Sequence, residues 1–199
     1  ALRLLNFPDN RRDWLKVAMA NARLLRVQGE LSDSARMTLE IIEKASRRPH
    51  LSIVAEAYLL RSNLLVDLAR YEEALLFLAK LDDVEERHLS EMLKAQRAEV
   101  RATALERLGR FSEASVEFEA SENQFLAMDH LVAAAIARLG RARIARAQGK
   151  HADALELAAS AGRSLGSAGN RVGVSDALFQ LGEVARLADE LDLSLIHIS

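Results

Sequence analysis

Histidine is the residue type in this sequence best suited to acid–base catalysis or metal binding, and the chain contains five of them. No two have the i, i+4 spacing of a metal site on a helix, and there is no cysteine that could complete one. Three of them, His50, His88 and His130, fall near expected helix starts or loops, where we expect them to face solvent. His151 occupies a repeated aromatic position, where we expect it to pack between helices.

An acidic cluster is the other candidate for chemistry. Its members are Asp82, Asp83, Glu85 and Glu86. The cluster lacks the alternating ligand spacing and the central glycine of a calcium loop, so we interpret it as a solvated connector. The chain has no GxxxxGK[ST], GxGxxG or GxSxG motif, and the glycine-rich residues 162–169 follow no expected strand. The sequence therefore predicts no catalytic residue, no metal site and no cofactor.

The composition predicts an almost wholly helical protein. Half of the residues are hydrophobic and only 5% are aromatic, so the core would be built from Leu, Ala, Val and Ile. Two prolines in 199 residues and no alternating β-branched runs argue against strands. The net charge of −2 shows no bias toward nucleic acid or an anionic membrane, and no apolar run is long enough to span a bilayer. We therefore expect a cytoplasmic protein that contacts neither nucleic acid nor membrane.

One short pattern returns along the chain at equal intervals, with a period of about 40 residues. Its copies are Gln28-Gly29-Glu30-Leu31, Leu68-Ala69-Arg70-Tyr71, Leu108-Gly109-Arg110-Phe111 and Gln148-Gly149-Lys150-His151, and we expect a fifth at Asp189-Glu190-Leu191. Glycine at the second position is typical of a helix end that needs a positive φ, so we expect a different turn at Ala69. The large residue two positions later would fill the corner between two helices. Equal intervals of this size predict stacked supersecondary units.

Small and apolar residues recur in register with this pattern. Small residues that would let two helices cross closely are Ala22, Ser62, Ala102, Ala142 and Gly182 on the first helices, and Ser34, Ala74, Ala114 and Ala154 on the second. The expected core adds Leu25, Leu65, Leu105, Ala145 and Ala185 on the first helices, and Met37, Ile41, Phe77, Leu81, Phe118, Leu155 and Ala158 on the second. Each helix alone would leave its apolar stripe in water, so the units must stack.

These features resemble the tetratricopeptide repeat. The small residue on the first helix, the glycine before the turn, the aromatic residue that begins the second helix and the alanine after it match that family's pattern over residues 11–191. The period is longer than the family's usual 34, and the early aromatic and the final proline are missing. The long period is similar to repeats in large bacterial signalling proteins. The resemblance implies an all-α fold, an α-solenoid of stacked antiparallel helix pairs.

The expected helices cover residues 12–28, 32–47, 52–68, 72–84, 89–108, 112–126, 130–148, 152–165 and 174–188. We interpret residues 1–10 as the tail of a preceding repeat helix and its loop, and residues 11–192 as about four and a half repeats. Residues 193–199, LSLIHIS, match the translation of a transposon end sequence used in sequencing libraries, so we interpret them as adapter read-through. We therefore expect the chain to be a fragment of a larger protein.

The resemblance also implies where a ligand would bind, because the first helices of such repeats line a concave groove. The candidate groove contacts are Lys16, Arg23, Arg26, Asn63, Glu99, Thr103, Glu106, Arg143, Arg146 and Arg186. The other groove positions are Met19, Val27, Glu56, Leu59, Val66, Asp67, Gln96, Arg107, Ile136, Leu139, Ala147, Asp176, Phe179, Glu183 and Leu187. The arginines would bind carboxylates or phosphates, or would pair with acids on neighbouring repeats. Lys16 and Asn63 match the family's carboxylate clamp too loosely to predict one.

The leading functional hypothesis is a protein–protein interaction or regulatory repeat module within a larger signalling or transcription-regulatory protein. It would bind a protein, a peptide or an effector domain of its own chain. One alternative is a stand-alone adaptor or assembly scaffold that binds peptides. Another is the regulatory region of an enzyme whose catalytic domain lies outside this sequence. The residues present predict no enzyme activity of their own.

Overall fold

The computed structural model describes residues 11–45, 51–83 and 89–198, with side chains for residues 13–45, 51–83 and 89–187. Within these ranges the chain forms helices joined by short turns. The helices are α1 (Arg11–Val27), α2 (Leu31–Ala45), α3 (Leu51–Asp67), α4 (Tyr71–Asp82), α5 (Glu91–Arg107), α6 (Phe111–Ala127), α7 (Leu131–Ala147), α8 (His151–Ser167) and α9 (Arg171–Ile198). No helix among the described residues has both the length and the hydrophobicity that a membrane-spanning helix needs.

The chain divides into two compact units, Ala1–Ala104 (unit 1) and Leu105–Ser199 (unit 2), and the division falls inside α5. In unit 1, α1, α2, α3 and α4 pack each on the next, and α1 also contacts α3. In unit 2, α6, α7, α8 and α9 pack each on the next, and α7 also contacts α9. Short turns make consecutive helices antiparallel. The predicted all-α class with stacked antiparallel helix pairs is confirmed.

One type of turn ends six of the described helices. Residues 29, 69, 109, 129, 149 and 169 have φ between 56° and 81°. In each turn the N–H of the following residue donates to the carbonyl five residues back, as Arg110 does to Leu105 at 2.9 Å. Glycine fits this conformation without steric cost and stands at four of the six positions. Ala69 adopts the same turn with φ 56°, so our expectation of a different turn there is wrong.

Helix lengths are regular along most of the chain. The helices α5 to α8 each have 17 residues and are joined by turns of equal length, so every half-repeat in this part of the chain has the same length. The second helices start one residue earlier than expected, because the large corner residue is itself the first helical residue. The helix α9 runs on to Ile198, so the turn expected at Asp189–Leu191 is wrong. No glycine stands at that helix-end position, and the alanine, leucine and glutamate residues around it favour helix.

The helix crossings within each unit are closely packed. In unit 1 the Ser34 hydroxyl on α2 donates to the carbonyl of Ala22 on α1 at 2.7 Å, and both residues are fully buried. In unit 2 the predicted crossing residues Ala114, Ala142 and Ala154 are at most 1% exposed. The prediction of burial is wrong at three other positions, which are exposed. They are Leu155, which is 39% exposed at the edge of the buried face of α8, and Gly182 and Ala185, which are exposed because no described helix follows α9 to cover them.

Another crossing shows compensating side-chain volumes in the two units. In unit 2 the ring of Phe118 on α6 lies over Gly140 on α7, so closely that a Cβ on Gly140 would lie 2.5 Å from the ring. The residues at the same positions one repeat earlier, Leu78 and Val100, are both buried in one hydrophobic cluster of unit 1. In unit 2 a large side chain, Phe118, packs against a glycine, whereas in unit 1 two medium-sized side chains, Leu78 and Val100, occupy the same positions. The same repeat geometry is therefore filled by different residue pairs.

Candidate functional site

The first helices of the repeats in unit 1 line a groove of about 730 Å³. Two of the lining residues lie on α1, six on α3 and six on α5, with one more just before α5. They are Arg23, Arg26, Glu56, Leu59, Leu60, Asn63, Val66, Asp67, Ser90, Met92, Leu93, Gln96, Glu99, Val100 and Thr103. Because each of these helices opens a repeat, one equivalent position enters the groove from all three helices, through Arg23, Asn63 and Thr103.

The base of the groove is apolar and fixed by the core beneath it. Leu59, Leu93 and Val100 are 5–7% exposed and belong to one hydrophobic cluster with Leu78 and Leu81 of α4. These side chains cannot move without disturbing the core, since buried side chains are close-packed. The groove therefore presents a preformed apolar strip that an apolar side chain of a ligand can cover.

Amide and hydroxyl side chains stand beside this apolar strip. Asn63 donates from Nδ2 to the carbonyl of Leu59 at 3.1 Å, and Thr103 donates from Oγ1 to the carbonyl of Glu99 at 2.9 Å. Their oxygens keep acceptor capacity after these bonds. Gln96 makes no hydrogen bond within the described part of the chain, so both ends of its amide are available to a ligand. A peptide backbone needs such donors and acceptors along its length.

Ion pairs cross from α1 to α3 at one end of the groove. Arg23 pairs with Glu56 at 2.7 Å, and both side chains are about half exposed. Arg26 donates to both oxygens of Asp67, from Nε at 2.6 Å and from Nη2 at 3.2 Å. These pairs neutralise the positive charge of Arg23 and Arg26 at this end of the groove. They also join two first helices whose packing shapes the groove.

The structure brings together most of the groove positions predicted for unit 1. Ten of them line the groove, namely Arg23, Arg26, Glu56, Leu59, Asn63, Val66, Asp67, Gln96, Glu99 and Thr103. Lys16 is exposed on α1 away from the groove lining. Met19 is 4% exposed in the core, and Val27 is 85% exposed at the end of α1. Whether any of these residues contacts a ligand stays a prediction.

Sequence reasoning missed five lining residues. They are Leu60, Ser90, Met92, Leu93 and Val100. A signal for two of them was present, because Leu60 and Val100 occupy the same position in successive repeats and are both apolar. Ser90 and Met92 lie at the start of α5, where the Ser90 hydroxyl accepts a hydrogen bond from the N–H of Leu93 at 3.2 Å. We did not predict this cap because we expected the helix to begin at residue 89, which would place Ser90 inside it.

The other candidate contact arginines, Arg143, Arg146 and Arg186, lie in unit 2, where they pair with acids. Arg143 makes a bidentate pair with Glu106 at 2.8 and 2.9 Å, and the Glu106 side chain is only 12% exposed. Arg146 and Arg186 both lie near Glu183, at 3.9 and 3.3 Å. Internal pairing, the second of the two roles considered for these arginines, is therefore present in the structure.

The remaining candidates for chemistry are scattered. Among the residues that the structure describes, no three His, Asp or Glu side chains come together as a potential metal site. His130 is exposed and His151 is partly buried, with its Nδ1 atom buried without a hydrogen-bond partner. His50, His88, Glu85 and Glu86 lie outside the described residues.

Comparisons with known proteins bear on the fold. No family model and no curated protein matches the chain. Among solved structures, aspartyl phosphate phosphatase F from Bacillus subtilis is similar, with 16% identity and a TM-score of 0.83 over 98% of this chain and 51% of that chain. A Rap protein in complex with competence and sporulation factor is similar at 14% identity and a TM-score of 0.76, over 94% of this chain and 56% of that one.

A structure of different description is also similar. BtubC from P. vanneervenii matches with 15% identity and a TM-score of 0.61, over 94% of this chain and 87% of that chain. This chain spans about half the length of the two structures with the higher scores. At such identities the likeness shows the fold, and all of these proteins share the stacked helical hairpins of this chain.

Proposed function

We propose that the chain is a protein–protein interaction and regulatory repeat module, and that the groove of unit 1 binds an extended segment of a partner protein. The module would belong to a larger signalling or transcription-regulatory protein, and the segment would come from a separate partner or from an effector domain of the same chain. The observation that carries the proposal is the groove itself, where a fixed apolar base adjoins amide side chains.

The chemistry of the groove fits a peptide better than a small metabolite. Leu59, Leu93 and Val100 offer an apolar strip, and Asn63 and Gln96 offer donors and acceptors beside it. An extended peptide presents both kinds of group in alternation, because successive side chains point to opposite sides. The ion pairs from α1 to α3 hold these walls in place before binding, which lowers the entropic cost of association.

The solved structures give the proposal independent support. One similar protein, the Rap protein, was crystallised with competence and sporulation factor bound, so a protein of this fold binds a separate factor. The adaptor and enzyme-regulatory alternatives would use the same groove and differ only in flanking sequence. Sequencing the gene outward from both ends separates them: an ATPase or a DNA-binding domain favours the regulator, and further repeats alone favour the adaptor.

A peptide-display selection tests the groove directly. A random 16-residue library is selected on the wild type, on Gln96→Trp, which places an indole in the groove, and on Gln28→Trp, which makes the same change in the exposed α1–α2 turn. We expect peptides enriched on the wild type and on Gln28→Trp to be lost on Gln96→Trp, with all three proteins melting alike. Enrichment that survives Gln96→Trp, or no enrichment on the wild type, would overturn the proposal.

A further inference from the structure

Arg61 on α3 lies outside the groove and forms no ion pair with any acid in the part of the chain that the structure describes. Its Nη1 donates to the carbonyl of Ala35 on α2 at 2.9 Å, and its guanidinium lies 5.5 Å from the ring centroid of Phe77 on α4. Its Nε is buried without a hydrogen-bond partner. Burial lowers the pKa of Arg61, the neighbouring charge of Arg70 lowers it further, and Glu73 raises it. A partly buried guanidinium of this kind is costly unless a carboxylate or phosphate completes its bonds.

The internal repeat shows which partner is missing. The residues one and two repeats after Arg61 are Arg101 and Arg141, and each pairs with an acid on the preceding second helix. Arg101 on α5 bonds to Asp82 on α4, and Arg141 on α7 bonds to Glu122 on α6 at 2.8 Å. The residue that corresponds to these acids in the pairing with Arg61 is Ile42. This copy of the pair therefore has the arginine but not the acid.

The next copy of this pair shows that the two residues otherwise change together. Leu181 replaces the arginine on α9, and Gly162 replaces the acid on α8, so neither charge is present. Across these four copies of the pair, two have both charges, one has neither, and one has the cation alone. A structural ion pair would be expected to keep or lose both members, because an unmatched charge destabilises the fold. Arg61 keeps its contacts with Ala35 and Phe77 but is retained without the acid that its counterparts pair with.

A second cation lies beside the same aromatic ring as Arg61. Lys80 on α4 has its Nζ 4.8 Å from the ring centroid of Phe77, and no acidic side chain pairs with it within the described residues. Glu73, whose charge raises the pKa of Arg61, is itself held by Arg70 through two bonds of 2.6 Å. Arg61 and Lys80 therefore both lie within 5.5 Å of the centroid of one aromatic ring, and neither forms an ion pair with an acid among the described residues.

We propose that Arg61 and Lys80 form a second binding site in unit 1, which takes the carboxylate of an Asp or Glu side chain from an acidic segment of a protein partner. The incoming carboxylate supplies in trans what Asp82 and Glu122 supply within the chain. The planar guanidinium matches a carboxylate, and Lys80 adds a point charge. A side-chain carboxylate is favoured over other anions because both intact copies of the pair hold one, each carried on a helix.

The repeat also supplies the test variant. Ile42→Glu places an acid where Asp82 and Glu122 stand and should occupy Arg61 from within the chain, while Arg61→Gln removes the cation. The control is Arg163→Gln, which removes an exposed arginine of unit 2. Random 16-residue display peptides are selected on the wild type and recovered on each variant at low salt. Thermal melting of every variant verifies that it is folded.

We expect peptides rich in Asp and Glu to be enriched on the wild type. Their recovery should fall on the order of fivefold on both Ile42→Glu and Arg61→Gln, as for the loss of one solvent-accessible ion pair, and stay unchanged on Arg163→Gln. Recovery on Gln96→Trp should also stay unchanged, which separates this site from the groove. Loss of the acidic peptides on Gln96→Trp, or equal recovery on all variants, overturns the inference. So does an Arg61-dependent melting shift with inorganic phosphate when no acidic peptide is retained, because the site would then take a small anion.

Discussion

The two units place an arginine at the same repeat position and use it differently. Arg23 in unit 1 and Arg143 in unit 2 are three repeats apart. Arg23 makes a single 2.7 Å bond to Glu56, with both side chains about half exposed, beside an open groove. Arg143 makes two bonds to Glu106, whose side chain is 12% exposed. Repeat position thus predicts where a side chain lies, but burial and partners decide whether it shapes a groove or supports the fold.

The two units differ most in the burial of the acids on their second helices, so substitution of these acids should have the largest effect. Glu122 in unit 2 is 4% exposed and bonds to Arg138 at 2.7 Å and Arg141 at 2.8 Å. Asp82, its equivalent in unit 1, has a side chain that is 43% exposed. Glu122→Ala should lower the free energy of unfolding by about 3–5 kcal/mol, because it removes a buried carboxylate and leaves its two arginines without an acid in a site that water does not reach. Asp82 also pairs with two arginines, Arg97 and Arg101, but solvent reaches its carboxylate, so Asp82→Ala should cost about 1 kcal/mol or less.

Urea denaturation followed by circular dichroism measures both variants of this pair. Equal costs for Glu122→Ala and Asp82→Ala would show that burial does not separate the two units. The control is Glu122→Gln, which keeps the side-chain shape and one of the two acceptor oxygens and should lose less than the alanine variant.

The compensating pair of Phe118 and Gly140 tests whether the helix crossings of the two units share one packing geometry. Gly140→Val should destabilise unit 2 by about 2–3 kcal/mol, because a Cβ would lie 2.5 Å from a ring that is 2% exposed. The double variant Phe118→Leu with Gly140→Val reproduces the unit 1 residues Leu78 and Val100. It should recover most of the loss in the same denaturation experiment. If the double variant is no more stable than Gly140→Val alone, the two crossings do not share one geometry.

Charge reversal tests the arginines with which the comparison began. Arg143→Glu should lower the free energy of unfolding by about 2 kcal/mol, because it replaces a bidentate pair with two like charges around the shielded Glu106. Arg23→Glu should cost less than about 1 kcal/mol, since its pair with Glu56 is solvent-exposed. Melting temperatures at low and high salt measure both. A larger loss for Arg23→Glu than for Arg143→Glu would reverse our assignment of the structural arginine.

The fold could be predicted from the sequence because its signals are local and repeated. Gly29, Gly109 and Gly149 mark helix ends through their φ, and small residues such as Ala114 mark crossings through their spacing. Ala69 shows the limit of this reasoning. The surrounding repeat imposes the left-handed turn on a residue that does not prefer it, so local propensity alone gave the wrong turn.

The candidate site could be predicted only in outline. Repeat register placed ten residues in the groove, because equivalent positions on successive first helices face the same way. It did not identify Glu122 as buried or Arg61 as unpaired, because charged residues are mostly exposed and their partners lie on other helices. The structure is needed to identify such a pair, for example Glu122 and Arg141, and only then can the equivalent residues of the other repeats be compared.

The smallest effect is expected at the turns, where one alanine can be compared with its glycine counterparts. Ala69 holds φ 56°, a conformation that costs an L-residue roughly 1–2 kcal/mol, whereas Gly109 holds φ 75° at the same repeat position without that cost. Ala69→Gly should therefore raise the free energy of unfolding by about 0.5–1 kcal/mol, after allowing for the greater backbone entropy of glycine in the unfolded chain. Gly109→Ala should lower it by a similar amount, with no steric contribution because its Cβ would meet no atom within 4 Å. Thermal melting measures both variants. A gain in stability for Ala69→Gly with a loss for Gly109→Ala would show that the repeat, and not the residue, sets this turn. A loss of stability in Ala69→Gly would mean that the alanine side chain makes contacts that outweigh its backbone strain.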